Sequence, residues 1–113
     1  MAHFRPTGES TTYGERLSAL LGRGDDGQAV QFVLDVSRNG RGAPAATGGV
    51  DAWCNPPHAG LGENPRVGEP PALAVAVLWI KEPGASDGDC RPGEPPAGVF
   101  WLEYARLLID QRS

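Results

Sequence analysis

Residues 72–81 read Ala72-Leu73-Ala74-Val75-Ala76-Val77-Leu78-Trp79-Ile80-Lys81, with no charged side chain before Lys81. Alternation puts Leu73, Val75, Val77 and Trp79 on one face of a strand and Ala72, Ala74, Ala76, Leu78 and Ile80 on the other. A strand apolar on both faces has to be covered on both, which is the condition of a central strand in a layered sheet. The fold expected from this stretch is α+β, with a small sheet centred on 72–81 and helices before and after it.

Upstream, Thr12-Tyr13-Gly14-Glu15 has the spacing of a capping box, and Leu17, Leu20 and Leu21 follow on one helical face, which predicts a helix over 12–22. Past Gly22-Arg23-Gly24, Asp25 or Asp26 is placed to cap a second helix. In it Ala29, Phe32, Val33 and Val36 fall at i, i+3, i+4 and i+7, and Asn39-Gly40 would close it. Residues 26–38 also read as a hairpin arm, because the stretch is rich in β-branched residues and Gly24-Asp25-Asp26-Gly27 suits a turn. The helical pair is the favoured reading, and Arg23-Gly24-Asp25, an adhesion tripeptide by spelling, is taken as part of the turn. Downstream, Trp101, Tyr104, Ala105 and Leu108 repeat at helical spacing with Glu103, Arg106 and Asp110 opposite, so 99–111 is the clearest helix.

A chain of 113 residues has room for one core, and residues 1–113 are expected to be a single domain. Most of its 16 glycines and 11 prolines lie in two breaks, the connection 39–71 and the segment 82–98. A connection longer than about 12–15 residues inside a compact domain is usually functional or disordered. We therefore expect 39–71, interrupted by one short strand at Val50 to Trp53, to be a contact surface that orders on binding. Arg66-Val67-Gly68-Glu69-Pro70-Pro71-Ala72 and Arg91-Pro92-Gly93-Glu94-Pro95-Pro96-Ala97 share Arg-x-Gly-Glu-Pro-Pro-Ala, read as one rigid entry turn used twice in preference to a polyproline ligand.

The formal charge is -4 and the deficit lies in the second half of the chain, which leaves no electrostatic footprint for a nucleic-acid backbone. No run approaches the roughly 18 apolar residues of a membrane span, and no apolar leader follows Met1. A cytoplasmic protein off the membrane, with Cys54 and Cys90 reduced, is the expectation. One lysine, Lys81, against nine arginines points to a GC-rich bacterial or phage source.

The chemistry concentrates in Trp53-Cys54-Asn55-Pro56-Pro57-His58. An Asn-Pro-Pro followed by a ring can accept hydrogen bonds from an exocyclic amine through the amide oxygen and a proline carbonyl, while the ring stacks on a flipped base. Here the chain resembles the phage-type DNA N6-adenine methyltransferases. Phe32-Val33-Leu34-Asp35-Val36 and Ala74 to Ile80 resemble the strands flanking that motif. The resemblance implies S-adenosylmethionine as cofactor, held near Asp35, with Asn55 and His58 at the base. Read without the resemblance, Trp53, Asn55, Pro56, Pro57 and His58 form a binding segment with no cofactor and no metal.

A Cys54–His58 dyad is not expected, because an extended Pro-Pro chain advances ~3.1 Å per residue and leaves the two about 12 Å apart. His3, Cys54, His58 and Cys90 match no zinc spacing. Trp79 and Trp101 are expected in the core, and Trp53, beside the long connection, is the tryptophan placed for recognition. A two-sided apolar strand with few partners implies self-association or docking to another protein. The favoured function is therefore a non-enzymatic binding or accessory protein, and the alternative is the methyltransferase-like one.

Overall fold

The computed structural model describes residues 4–24, 26–42, 49, 52–69 and 72–112. Its elements are α1 (Thr7–Leu21), β1 (Phe32–Asp35), β2 (Arg66–Val67), β3 (Ala74–Leu78) and α2 (Leu102–Asp110). The strands form one sheet in the order β1-β3-β2, in which β3 is parallel to β1 and antiparallel to β2. The strand that is apolar on both faces thus takes the middle place, where both of its edges are hydrogen-bonded.

Residues 32–35 are a strand, which corrects the expected helical pair. A short buried strand is apolar at successive positions, and the same residues fall by coincidence at helical spacing. Pairing with β3 decides between them: Phe32 lies opposite Ala74, Leu34 opposite Val77 and Asp35 opposite Leu78. The turn of the hairpin alternative does form, since the Gly27 N–H donates to the Gly24 carbonyl at 2.9 Å and Arg23 bridges Ala29. Asp25 of the tripeptide lies outside the described residues.

Helix α1 begins at Thr7, and the supposed capping box lies inside it, where the Thr12 hydroxyl donates to the Gly8 carbonyl at 3.0 Å. Its buried face is Ser10, Gly14 and Ser18, whereas Leu17, Leu20 and Leu21 are exposed. Small residues are required there. A β-carbon on Gly14 would overlap the Phe32 ring, and the Ser18 hydroxyl donates to the Val30 carbonyl at 2.6 Å. Helix α2 follows its sequence pattern: Tyr104 and Leu108 are buried, and Glu103, Arg106 and Asp110 are exposed.

Among the described residues two apolar clusters make the core. Leu34, Val36 and Val77 lie on the sheet, while Phe4, Ala59, Leu61, Tyr104 and Leu108 lie between α2 and the loops, and Trp79 packs against both. The described part of the 39–71 connection is built into this core. The Leu61 N–H donates to the Leu108 carbonyl and the Gly40 N–H to the Gly60 carbonyl, each at 2.9 Å. Asn39, expected as a helix cap, instead donates its amide to the Arg5 carbonyl and the Thr7 hydroxyl. Ala52 and Trp53 form a turn in place of the expected strand, of which Val50 and Asp51 lie outside the described residues. No described helix is long and apolar enough to cross a membrane.

Residues 36–40 run backbone to backbone along 60–62, so close that a β-carbon on Gly62 would overlap the Val36 carbonyl oxygen. Gly62→Ala is expected to cost about 1–3 kcal/mol. Gly8→Ala, in open space on α1, should be neutral or stabilising by up to about 1 kcal/mol. Urea unfolding of the two variants checks the contrast, and equal midpoints would contradict it.

Candidate active site

The chain leaving the C-terminal end of β1 carries Arg38, and the chain leaving the same end of its parallel neighbour β3 carries Lys81. In parallel sheets this is the end at which loops diverge and functional groups gather. Asp87 stands between the two cations. Arg38 Nη1 donates to Asp87 Oδ2 at 2.6 Å, the Asn55 backbone N–H donates to the same oxygen at 2.8 Å, and Lys81 Nζ is 3.4 Å from Oδ1. Arg38 is only 1% exposed, its guanidinium 4.8 Å from the centre of the Phe4 ring. Burial pushes the Asp87 carboxyl up, but the Arg38 and Asn55 hydrogen bonds and the two positive charges outweigh it and hold the group below the ordinary carboxylate range. Its side chain is 13% exposed, so the ionised carboxylate retains some contact with solvent.

Two loops frame it. Cys54 and Cys90 form a disulfide that ties the loop of Asn55 to the loop of Asp87, which corrects the expectation of reduced thiols and removes Cys54 as a nucleophile. The Tyr104 hydroxyl donates to the Pro56 carbonyl at 3.0 Å, and Gln111 Nε2 donates to the Pro57 and Ala59 carbonyls, so α2 holds the first loop from below. Burial pushes the Tyr104 hydroxyl up to about 12, and it remains a donor throughout the physiological range. The second Arg-x-Gly-Glu-Pro-Pro copy closes the other loop. Arg91 donates to Glu94 at 2.8 Å and to the Cys54 carbonyl at 3.3 Å. In the first copy Arg66 lies on β2 and pairs with Glu63 instead, so the two copies do different work.

The family model of glycosyl hydrolases family 6 matches residues 2–112. The chain belongs to glycosyl hydrolase family 6. This family 6 chain is 38% identical over 104 residues to Endoglucanase A of Cellulomonas fimi, covering 92% of this chain and 20% of that protein. Its fold is similar to the endoglucanase Cel6 from Mycobacterium tuberculosis, solved with methyl-cellobiosyl-4-deoxy-4-thio-β-D-cellobioside. There the TM-score is 0.78 at 42% identity, over 96% of this chain and 34% of that one. The GH6 enzyme of Orpinomyces sp. Y102 gives a TM-score of 0.76 at 34% identity, over 96% and 36%. The family 6 chain thus spans between a fifth and about a third of the length of these relatives.

Membership in a family of hydrolases overturns both earlier readings, the methyltransferase resemblance and the non-enzymatic accessory protein. The structure places the expected site residues as follows. Asn55, meant to grip a base, is 2% exposed, and its amide is committed to Asp87, Gly88 and Glu94. Asp35, meant to lie near a cofactor, accepts the Ser37 and Lys81 backbone N–H groups and so closes the strand end. His58 is half-buried, and Pro56 is buried with its carbonyl on Tyr104. Pro57 is exposed, as is Trp53 at 60%. Among the described residues no group of three or more His, Cys, Asp or Glu could hold a metal.

Sequence reasoning singled out the loop but missed Asp87, Arg38 and Lys81. The available signal was the chain's single lysine at the end of its best strand, together with an arginine three residues past Asp35.

Proposed function

We propose that this chain carries the ionised-carboxylate half of a site that hydrolyses β-linked glucan, completed by the remainder of a family 6 domain. The observation that carries the reading is Asp87, held as a carboxylate by Arg38, Lys81 and the Asn55 N–H at the C-terminal ends of adjacent parallel strands. Glycosidic hydrolysis takes two carboxyl groups, one protonated toward the leaving oxygen and one ionised. A carboxyl group held below its ordinary range is a poor proton donor, so Asp87 suits the ionised role.

In that role Asp87 orients a water. Its oxygen adds to the anomeric carbon, the bond to the departing sugar breaks, and the water proton passes to Asp87. An acid outside the described residues protonates the departing oxygen. This chemistry uses no cofactor. Trp53, exposed one residue before the disulfide, offers a flat apolar face on which the C–H side of a glucose ring stacks. The names of the endoglucanase relatives and the cellobioside analogue bound to the M. tuberculosis enzyme support a glucan substrate. The Cys54–Cys90 bridge fits an oxidising compartment in place of the cytoplasm.

The test is a chimera in which residues 1–113 replace the matching third of the M. tuberculosis enzyme. It is expected to release reducing sugar from carboxymethylcellulose, and Asp87→Asn in the same chimera should lower kcat by about a hundredfold. An Asp87→Asn chimera that keeps the unmutated rate would remove the reading.

A further inference from the structure

Asn55 combines two properties that a surface-loop asparagine does not need, burial and a left-handed backbone. It is 2% exposed, it has φ 44, and it is the only non-glycine residue at positive φ among the described residues. Asparagine tolerates the left-handed region better than most residues, yet holding it there still costs free energy, and the surrounding bonds must offset that cost. Those bonds converge on Asp87. The Asn55 backbone N–H donates to Asp87 Oδ2 and the Asp87 backbone N–H donates to Asn55 Oδ1, each at 2.8 Å. One residue therefore grips both the carboxylate and the main chain of the other, and the two bonds close a ring that restricts rotation of the Asp87 side chain. The other end of the amide, Nδ2, donates to the Gly88 carbonyl at 2.9 Å and to Glu94 Oε1 at 3.3 Å. Both donors lie on a face where a carboxylate could not serve. Cys54, immediately before Asn55, is bridged to Cys90, three residues after Asp87, so the ring is stapled from outside.

We propose that Asn55 is a positioning residue, whose left-handed turn and reciprocal hydrogen bonds aim the Asp87 carboxylate and keep Arg38 and Lys81 on separate oxygens of it. The inference rests on the reading of Asp87 as the ionised group of a hydrolase. The charged and titratable groups facing this pair are Arg38 beyond β1, Lys81 beyond β3, Tyr104 on α2, and Glu94 and Arg91 in the second loop. A carboxylate in place of the Asn55 amide would face Glu94 and Asp87 with a third negative charge.

The experiment is a carbon-detected NMR titration of Asp87 in the 113-residue protein, together with amide exchange, for the unmutated chain, Asn55→Gly and Asn55→Asp. Asn55→Gly accepts the positive φ and keeps the backbone N–H. It should speed exchange of the Asp87 amide at least about tenfold and move the carboxyl titration upward. Asn55→Asp restores the acceptor for that amide, so protection should return while the titration moves up further. In the hydrolytic chimera both variants should lower kcat with KM within about twofold. Asp87 titration and amide exchange unchanged in both variants would overturn the proposal, and so would loss of the folded spectrum in both, which would make Asn55 a residue of the fold alone. The NMR result does not depend on hydrolysis, so failure here is distinct from a rate unaffected by Asp87→Asn.

Discussion

Arg38→Met is expected to destabilise the protein by about 3 kcal/mol near neutral pH, because it deletes the closest partner of a buried carboxylate and leaves only Lys81 and the Asn55 N–H to offset its charge. Arg38 is 1% exposed and makes the 2.6 Å bond to Asp87, and its guanidinium packs on Phe4. Methionine fills much of the same volume, so the loss reports charge more than cavity. The sign of the pH dependence follows from Asp87. Its folded pKa lies below the unfolded value of about 3.9. In the unmutated protein its contribution is therefore fully present above that value and is lost as pH falls through the folded pKa. In Arg38→Met the desolvation of Asp87 is offset only by Lys81 and the Asn55 N–H, so its folded pKa rises and protonation relieves part of the loss. The gap between the two proteins should narrow as pH falls below about 4. Urea unfolding at pH 7 and at stepwise lower pH measures it, and a gap constant with pH would contradict the charge account.

Replacing both cysteines, Cys54→Ser with Cys90→Ser, is expected to cost about 3–4 kcal/mol, the loop-closure entropy of a bridge spanning some 36 residues. The span encloses β2, β3 and the Asp87 loop, so opening it frees most of the sheet in the unfolded chain. In the folded chain the cost should be local. Amide exchange is expected to accelerate in residues 52–58 and 86–98 while the α2 amides, bonded within their own helix, stay protected. Thermal unfolding with and without reductant gives the same comparison without mutation, and a loss below about 1 kcal/mol would mean that the bridge does not hold these loops.

The parts of the fold legible from sequence are those whose pattern is local. Tyr104 and Leu108 announce α2 because a helix presents its fourth residue to the same neighbour, whatever that neighbour is. Ala74 to Leu78 announces a strand by its apolar run, although of its residues only Val77 is buried and Leu78 is exposed. Residues 32–35 defeated the reading because a four-residue strand is shorter than the window in which helical and extended periods differ, and its partner lies some forty residues downstream. The leucines of α1 misled because apolarity was taken for burial, whereas the face that meets Phe32 must be small. At the site, the Trp53-to-His58 segment was noticed for a motif of three residues. What joins it to the candidate site is a 2.8 Å contact with Asp87, thirty-two residues away.

By itself the sequence determined a C-terminal helix, expected over 99–111 and observed over Leu102–Asp110, and the central strand at Ala74–Leu78. Only the tertiary structure decided that Arg38, Lys81 and the Asn55 N–H converge on Asp87. A carboxylate in a Gly/Pro-rich loop takes its ionisation and its aim from the charges around it. Those charges, Arg38 and Lys81, reach it only because two parallel strands end side by side and a disulfide folds a third segment over them. Charge falls off with distance in space and is indifferent to separation along the chain, so pairwise chemistry of this kind leaves no periodic mark in a sequence.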